Sequence, residues 1–287
     1  MLSLYGFDAA IRSVYTASCQ PGRASPIENV DDLRRAYLDF FAPAHAPEFA
    51  GNYRPIVADV EAEEELSHFF TSGDPGDREQ KRVMGEAYSS GVRAEKIALV
   101  ERTLDDLMSL DEDLRTLFEL VIHSIIVRPH SDAVCFGGSN SAAIGLIWLS
   151  APTQLCERDL AELLLHELTH HLLYIDELSH PQFIYDDMLD DQNFVSSAIF
   201  GKSKSVSKVF HSIIVGVEIC SWRQRFGWGP GPSGAHPSSH DLLSGIHSSY
   251  TELMTLPRFD ALTTPHSRSI LRDVIHQCRL LDDLLPN

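Results

Sequence analysis

The sequence predicts a mainly helical α+β protein in which one small sheet packs on a long, leucine-rich helix. Three observations carry this. Residues 1–115 place apolar side chains three to five positions apart, the spacing of one helix face. After Leu114 the texture changes to short β-branched runs bounded by Pro, Ser, Asn and Gly, which read as strands. A helical run follows, DLAELLLHELTHHLLYIDEL (Asp159–Leu178), apolar almost all round. The organisation expected is a helical N-terminal region, 1–115, and a second region, 116–287, forming one compact unit.

The elements follow in order. DDLRRAYLDFF opens at Asp31 and sets Leu33, Tyr37 and Phe40/Phe41 at helical spacing. PIVADVEAEEELSHFF (Pro55–Phe70) reads as a second helix, its acidic run Glu61–Glu65 as a solvated face rather than a binding patch. TSGDPGD (Thr71–Asp77) is a turn. From Arg78 to Leu110, Val83, Val92, Ile97, Val100, Leu104 and Leu107 describe one long helix, or two broken near Ser89-Ser90-Gly91. LFELVIHSIIVRP, AVCFGG and AAIGLIWLS read as three strands, although the first could equally begin as a helix. GGSNS (Gly137–Ser141) is a turn, and without a following Gly-Lys-Ser/Thr helix it is not a phosphate loop. The leucine-rich helix starts near Cys156, with acidic residues in the first turn that suit its dipole, and Pro181 ends it. YDDMLDDQ is a polar interval. A helix is predicted from about Val206 to Phe226. The Gly/Pro-rich RFGWGPGPSGAHPSSH after it cannot be regular structure. Two more helices start near Ser239 and His266.

Composition narrows the classes of function. The chain has 287 residues, 44% hydrophobic, enough for a sizeable core. Its 23 Lys+Arg face 41 Asp+Glu, a net charge of −18. Such a surface repels phosphate backbones, so no nucleic-acid partner is expected. The five cysteines, Cys19, Cys135, Cys156, Cys220 and Cys278, are scattered and never form CxxC, which argues against a disulfide framework and a cysteine zinc site. The N-terminus shows no basic segment followed by a long apolar one, and the most apolar run, Val121–Val127, is too short for a bilayer. The expectation is a cytoplasmic protein with no membrane partner.

The strongest motif is His166-Glu167-Leu168-Thr169-His170. Four residues apart on a helix, two imidazoles lie one turn above the other on one face and can address a single cation. Glu167 lies about 100° round the helix, within reach of a water on that cation. These polar groups sit among Leu163, Leu164, Leu165, Leu168, Leu172 and Leu173, where they need partners. The reading is a metal site, on a sheet-plus-helix core of the zincin kind.

Two histidines do not complete a site. His171 points off the shared face, and Asp176 and Glu177 lie too close along the same helix to meet the metal easily. VFHSIIVGVEICSW offers His211 and Glu218 seven residues apart, on one face of another apolar helix. His211 is the preferred third ligand, with Glu218 as its supporting partner. Glu218 or Glu177 as the ligand are the alternatives.

These features together resemble the HExxH-motif family of α-ketoglutarate-dependent, iron-containing peptide β-hydroxylases encoded beside ribosomal peptide natural-product clusters. The matching segments are IGLIWLSAP leading into LLLHELTHHLL, then FHSIIVGVEICSW after a polar interval, then LTTPHSRSILRDV; they span about half the chain. Leu168 and His171-Leu172 stand where the family has an aromatic and Lys-Leu, and its Pro-Trp-Arg segment is missing. The resemblance implies Fe(II) and α-ketoglutarate as cofactors. It implies a hydroxylase, a dioxygenase of natural-product biosynthesis, acting on a peptide or a carrier-bound amino acid. Iron would keep positions open for the co-substrate and O₂, and Glu167 would order the groups around it. The distal carboxylate of the co-substrate needs a cation, for which Arg suits best. Arg268, in the late matching segment, is the candidate, with Arg272 and Arg223 as alternatives. With zinc at the same ligands, Glu167 would instead be the general base of a metallopeptidase.

Overall fold

The computed structural model describes residues 2–19, 26–41, 53–70, 84–130, 136–152, 155–229 and 234–284. In chain order the elements are α1 (Leu2–Ser18), α2 (Val30–Phe41), α3 (Val60–Ser67), α4 (Ser90–Ser109), α5 (Glu112–Val121), β1 (Ser124–Val127), β2 (Gly137–Gly138) and β3 (Leu146–Leu149). There follow α6 (Glu157–Ser179), β4 (Phe194–Ser196), β5 (Ser203–Ser205), α7 (Val206–Phe226), α8 (Ser239–Thr255), α9 (Phe259–Leu262) and α10 (Pro265–Asp282). The protein is mainly helical α+β, as expected. Among the described residues, no helix is long and apolar enough to cross a membrane. The Thr71–Asp77 turn and Ala133–Cys135 of the second predicted strand lie outside the described residues.

The chain forms two compact units, one of Tyr5–Ser72 with Arg82–Ser179, the other built on His180–Asn287. In the first unit, β3 is the central strand. It runs parallel to β1, pairing Ser124 with Leu146 and Val127 with Leu149, and antiparallel to β2, pairing Gly138 with Trp148. All four residues of β1 and of β3 are buried, which is why they read as unbroken apolar runs rather than alternating ones. The helical start of LFELVIHSIIVRP is realised: α5 ends at Val121 and the chain turns extended at Ile122.

PIVADVEAEEELSHFF departs from its helical reading at its start. Residues 55–58 lie extended beside β1, with Val57 N–H donating to Ile125 O (2.9 Å) and Ile125 N–H to Pro55 O (2.8 Å). Pro55 cannot donate to a ladder. Asp59 then starts α3, its carboxylate accepting from Ala62 N–H (2.8 Å). The acidic run is not simply solvated either. Glu63 is buried and accepts from Arg93 Nε (2.9 Å) and Nη2 (2.7 Å), while Arg93 Nη2 also donates to Val57 O (2.9 Å). This clamp joins α3, α4 and the strand-like segment in front of them. Of the helical stretch expected over Arg78–Leu110, the part from Ser90 to Ser109 forms as α4; residues 84–89 are not helical, and 78–83 lie outside the described residues.

One face of the sheet is covered by Val57, Leu66 and Phe70, which pack with Ile126, Leu146 and Trp148. Helix α6 packs against α4, α5 and β2. The second unit is a three-helix core of α7, α8 and α10, with the β4–β5 hairpin against α7 and α8. That hairpin follows the polar YDDMLDDQ interval, in residues whose sequence pattern predicts no element. Helix α7 ends on left-handed Gly227, and α10 opens with a Thr264/Ser267 capping box and Pro265 in its first turn.

Candidate metal centre

Helix α6 is buried along most of its length. From Asp159 to Asp176 every side chain is buried except His166 and His170, which are half-buried. A helix with apolar neighbours nearly all round thus opens at two imidazoles and nowhere else in that stretch. Their Nε2 atoms are 3.1 Å apart, with ring centroids at 4.8 Å and planes at 61°. Two donors about 2.0–2.1 Å from one cation, at angles between square and tetrahedral, stand about 2.9–3.4 Å apart. The pair therefore fits a shared ion. A carboxylate oxygen of Glu167, itself buried, lies within 4.8 Å of both imidazole donors. Two imidazoles and a carboxylate suit zinc or non-haem iron alike. Tyr174 stacks on His170, centroids 6.1 Å apart and planes at 16°.

The sheet reaches this site through β2. A Cβ built on Gly137 would stand 3.6 Å from Glu167 Oε1 and 2.8 Å from the Trp148 carbonyl oxygen. A Cβ there would press on the strand pairing while only touching the motif carboxylate at ordinary contact distance. Read from sequence, Gly137 is only the edge of a strand and turn.

His171 turns to the other side of α6. It is fully buried, and its Nδ1 accepts from Gly145 N–H (3.1 Å). His123 lies alongside, with Nδ1 3.0 Å from Ser124 Oγ and Nε2 3.1 Å from Ile144 O. Burial pushes His123 down to about 4, and burial together with the neighbouring His123 pushes His171 down to about 3. Both rings are neutral at physiological pH and serve as hydrogen-bonding wedges between α6 and the loop before β3. Gly145 is required there. Its φ is +94°, and a Cβ would fall 2.4 Å from His123 Cδ2. The signal for this network in the sequence is faint: a histidine inside an apolar run and a glycine inside a strand-like one.

Of the other candidates, His211, Glu218 and the three arginines belong to the second unit. His211 is buried on α7 beside Phe210, ring centroids 6.1 Å apart, and Glu218, one face along, accepts from Trp222 Nε1 (3.2 Å). Arg268 on α10 donates through Nη1 to the carbonyls of Thr263 (2.7 Å) and Asp260 (3.1 Å), holding the C-terminal end of α9. Arg223 is buried and donates to Pro237 O (2.8 Å), and Arg272 is exposed. Glu177 is on α6, in the first unit with the motif. No protein-family model matches this chain, and no curated protein matches it in sequence.

Proposed function

We propose that the protein is a metal-dependent enzyme whose metal is held by His166 and His170, on a core of the zincin kind. The observation that carries this reading is the 3.1 Å approach of the two Nε2 atoms at the one opening of the buried stretch Asp159–Asp176 of α6, with the Glu167 carboxylate beside them. As its reaction we propose Fe(II)- and α-ketoglutarate-dependent hydroxylation of a peptide or a carrier-bound amino acid. What supports that choice is the resemblance carried by LLLHELTHHLL, FHSIIVGVEICSW and LTTPHSRSILRDV. Iron with the keto acid supplies the oxidising chemistry when bound. The chain's own part is to hold and orient. His166 and His170 present imidazole lone pairs with fixed ring planes, and Tyr174 backs one ring. Glu167 orders hydrogen bonds around the site. The resemblance and the residue pattern alone propose Arg268 as the partner of the distal carboxylate and His211 as the third ligand; both lie in the second unit.

Glu167 favours a second reading. A buried carboxylate this close to two imidazoles is where a zinc metallopeptidase holds its general base. Metal analysis after anaerobic purification, with O₂ uptake measured with and without α-ketoglutarate, decides between them. The expected result is iron, keto-acid-dependent O₂ uptake, and measurable uptake in Glu167→Gln. Zinc with peptide hydrolysis that Glu167→Gln lowers by about 10²-fold or more would select the peptidase instead. A chain whose metal content is unchanged in the double variant His166→Ala/His170→Ala would overturn both.

A further inference from the structure

A second group of metal-ligating side chains lies wholly within the other unit. Cys278 and Asp282 are one turn apart on α10, and His247 faces them from α8. His247 Nε2 is 2.6 Å from Asp282 Oδ2 and 3.5 Å from Cys278 Sγ. The donor atoms of all three lie within 4.8 Å of one another. Cys278 is fully buried, whereas the His247 and Asp282 side chains are 39% and 42% exposed, so the group opens to solvent on one side.

A thiol, an imidazole and a carboxylate together suggest a nucleophilic relay, but the geometry excludes one. In a relay the acid and the nucleophile occupy opposite nitrogens of the ring, so that one orients it and the other exchanges a proton with it. Here both approach the same nitrogen, Nε2. Three different donors converging on one point is instead the arrangement a cation imposes. Around a tetrahedral zinc, a sulfur and a nitrogen stand about 3.5 Å apart and a nitrogen and an oxygen about 3.3 Å. The Cys278–His247 spacing already matches. The His247–Asp282 contact has to open by about 0.7 Å, which a small rotation of the exposed Asp282 side chain supplies.

We propose that His247, Cys278 and Asp282 form a second metal site, for a divalent cation of the zinc class, with water completing a tetrahedron on the solvent side. The mixed sulfur, nitrogen and oxygen set is that of a borderline-soft ion, not of Ca²⁺ or Mg²⁺. Its effect is to tie α8 to α10 at the surface of the three-helix core. The site shares no residue with the His166/His170 centre and stands or falls independently of the enzyme reading.

Cobalt(II) tests it, because a thiolate ligand gives a near-ultraviolet charge-transfer absorption that imidazole and carboxylate ligands do not. The chelator-treated full chain is titrated with Co²⁺. One such transition per chain is expected. It should persist in His166→Ala/His170→Ala, disappear in Cys278→Ser, and need at least about tenfold more Co²⁺ in His247→Ala. His247 is part-exposed, so that variant keeps the test open if Cys278→Ser fails to fold. No charge-transfer absorption in the wild type, or one that survives Cys278→Ser or is untouched by His247→Ala, would overturn the proposal. Loss of cobalt binding only at the His166/His170 centre leaves this absorption in place, so the two readings fail separately.

Discussion

Acid should loosen the first unit through His123 before its carboxylates titrate. The ring is buried, bonded to Ser124 Oγ and Ile144 O, and held down to about 4 by burial, against about 6.5 for an imidazole in the unfolded chain. Above pH 6.5 the ring is neutral in both states and contributes no pH dependence. Between 6.5 and 4 the unfolded chain takes up a proton that the folded chain refuses, so stability falls as the pH falls. Below 4 both states are protonated and the loss is complete. At about 1.4 kcal/mol per pH unit the gap corresponds to about 3 kcal/mol, a large share of a typical domain's stability of about 5–15 kcal/mol. His171, pushed down further, acts in the same direction, but the two rings adjoin and their losses are not additive. The assay is urea unfolding of chelator-treated protein at pH 7.5 and 4.5, beside His123→Gln, whose carboxamide can still donate to Ile144 O without titrating. Chelation removes the separate effect of metal loss at low pH. Wild type should lose about 2–3 kcal/mol more than the variant over that interval. Parallel losses would refute the assignment of a buried, neutral His123.

Gly145→Ala combines a left-handed φ of +94° with a contact of 2.4 Å to His123 Cδ2, and should cost about 2–4 kcal/mol in chemical denaturation. Glu63→Ala leaves the buried Arg93 guanidinium without its carboxylate and should cost about 3–5 kcal/mol, with an unchanged denaturant slope. His211→Ala should lower the iron bound per chain; full stoichiometry and affinity in that variant would remove His211 from the ligand set. Arg268→Ala should raise the KM for α-ketoglutarate at constant metal content. An unchanged KM would leave Arg268 as a clamp on α9 alone.

What was legible in the sequence follows the range of the interactions involved. Helix α7 forms over Val206–Phe226, the residues its sequence pattern marks, because a run of apolar residues ended by Gly227 is specified by neighbours a few positions apart. The pairing of His166 with His170 is likewise written in an i, i+4 spacing. The pattern of residues 55–58 continues the helix after them, and only β1, some 70 residues on, draws them extended. Glu63 looks like one of four surface acids until Arg93 comes to it from α4. The hairpin of β4 and β5 has strands of three residues, too short for a period to register. The same limit applies to the chemistry. Of His247, Cys278 and Asp282, the last two are one helical turn apart and could have been paired from sequence, but the nitrogen that gives the pair a purpose arrives from α8, 31 residues before Cys278. A metal motif within one helix is therefore found by spacing, whereas a site assembled across helices becomes visible only when α8 and α10 are packed side by side.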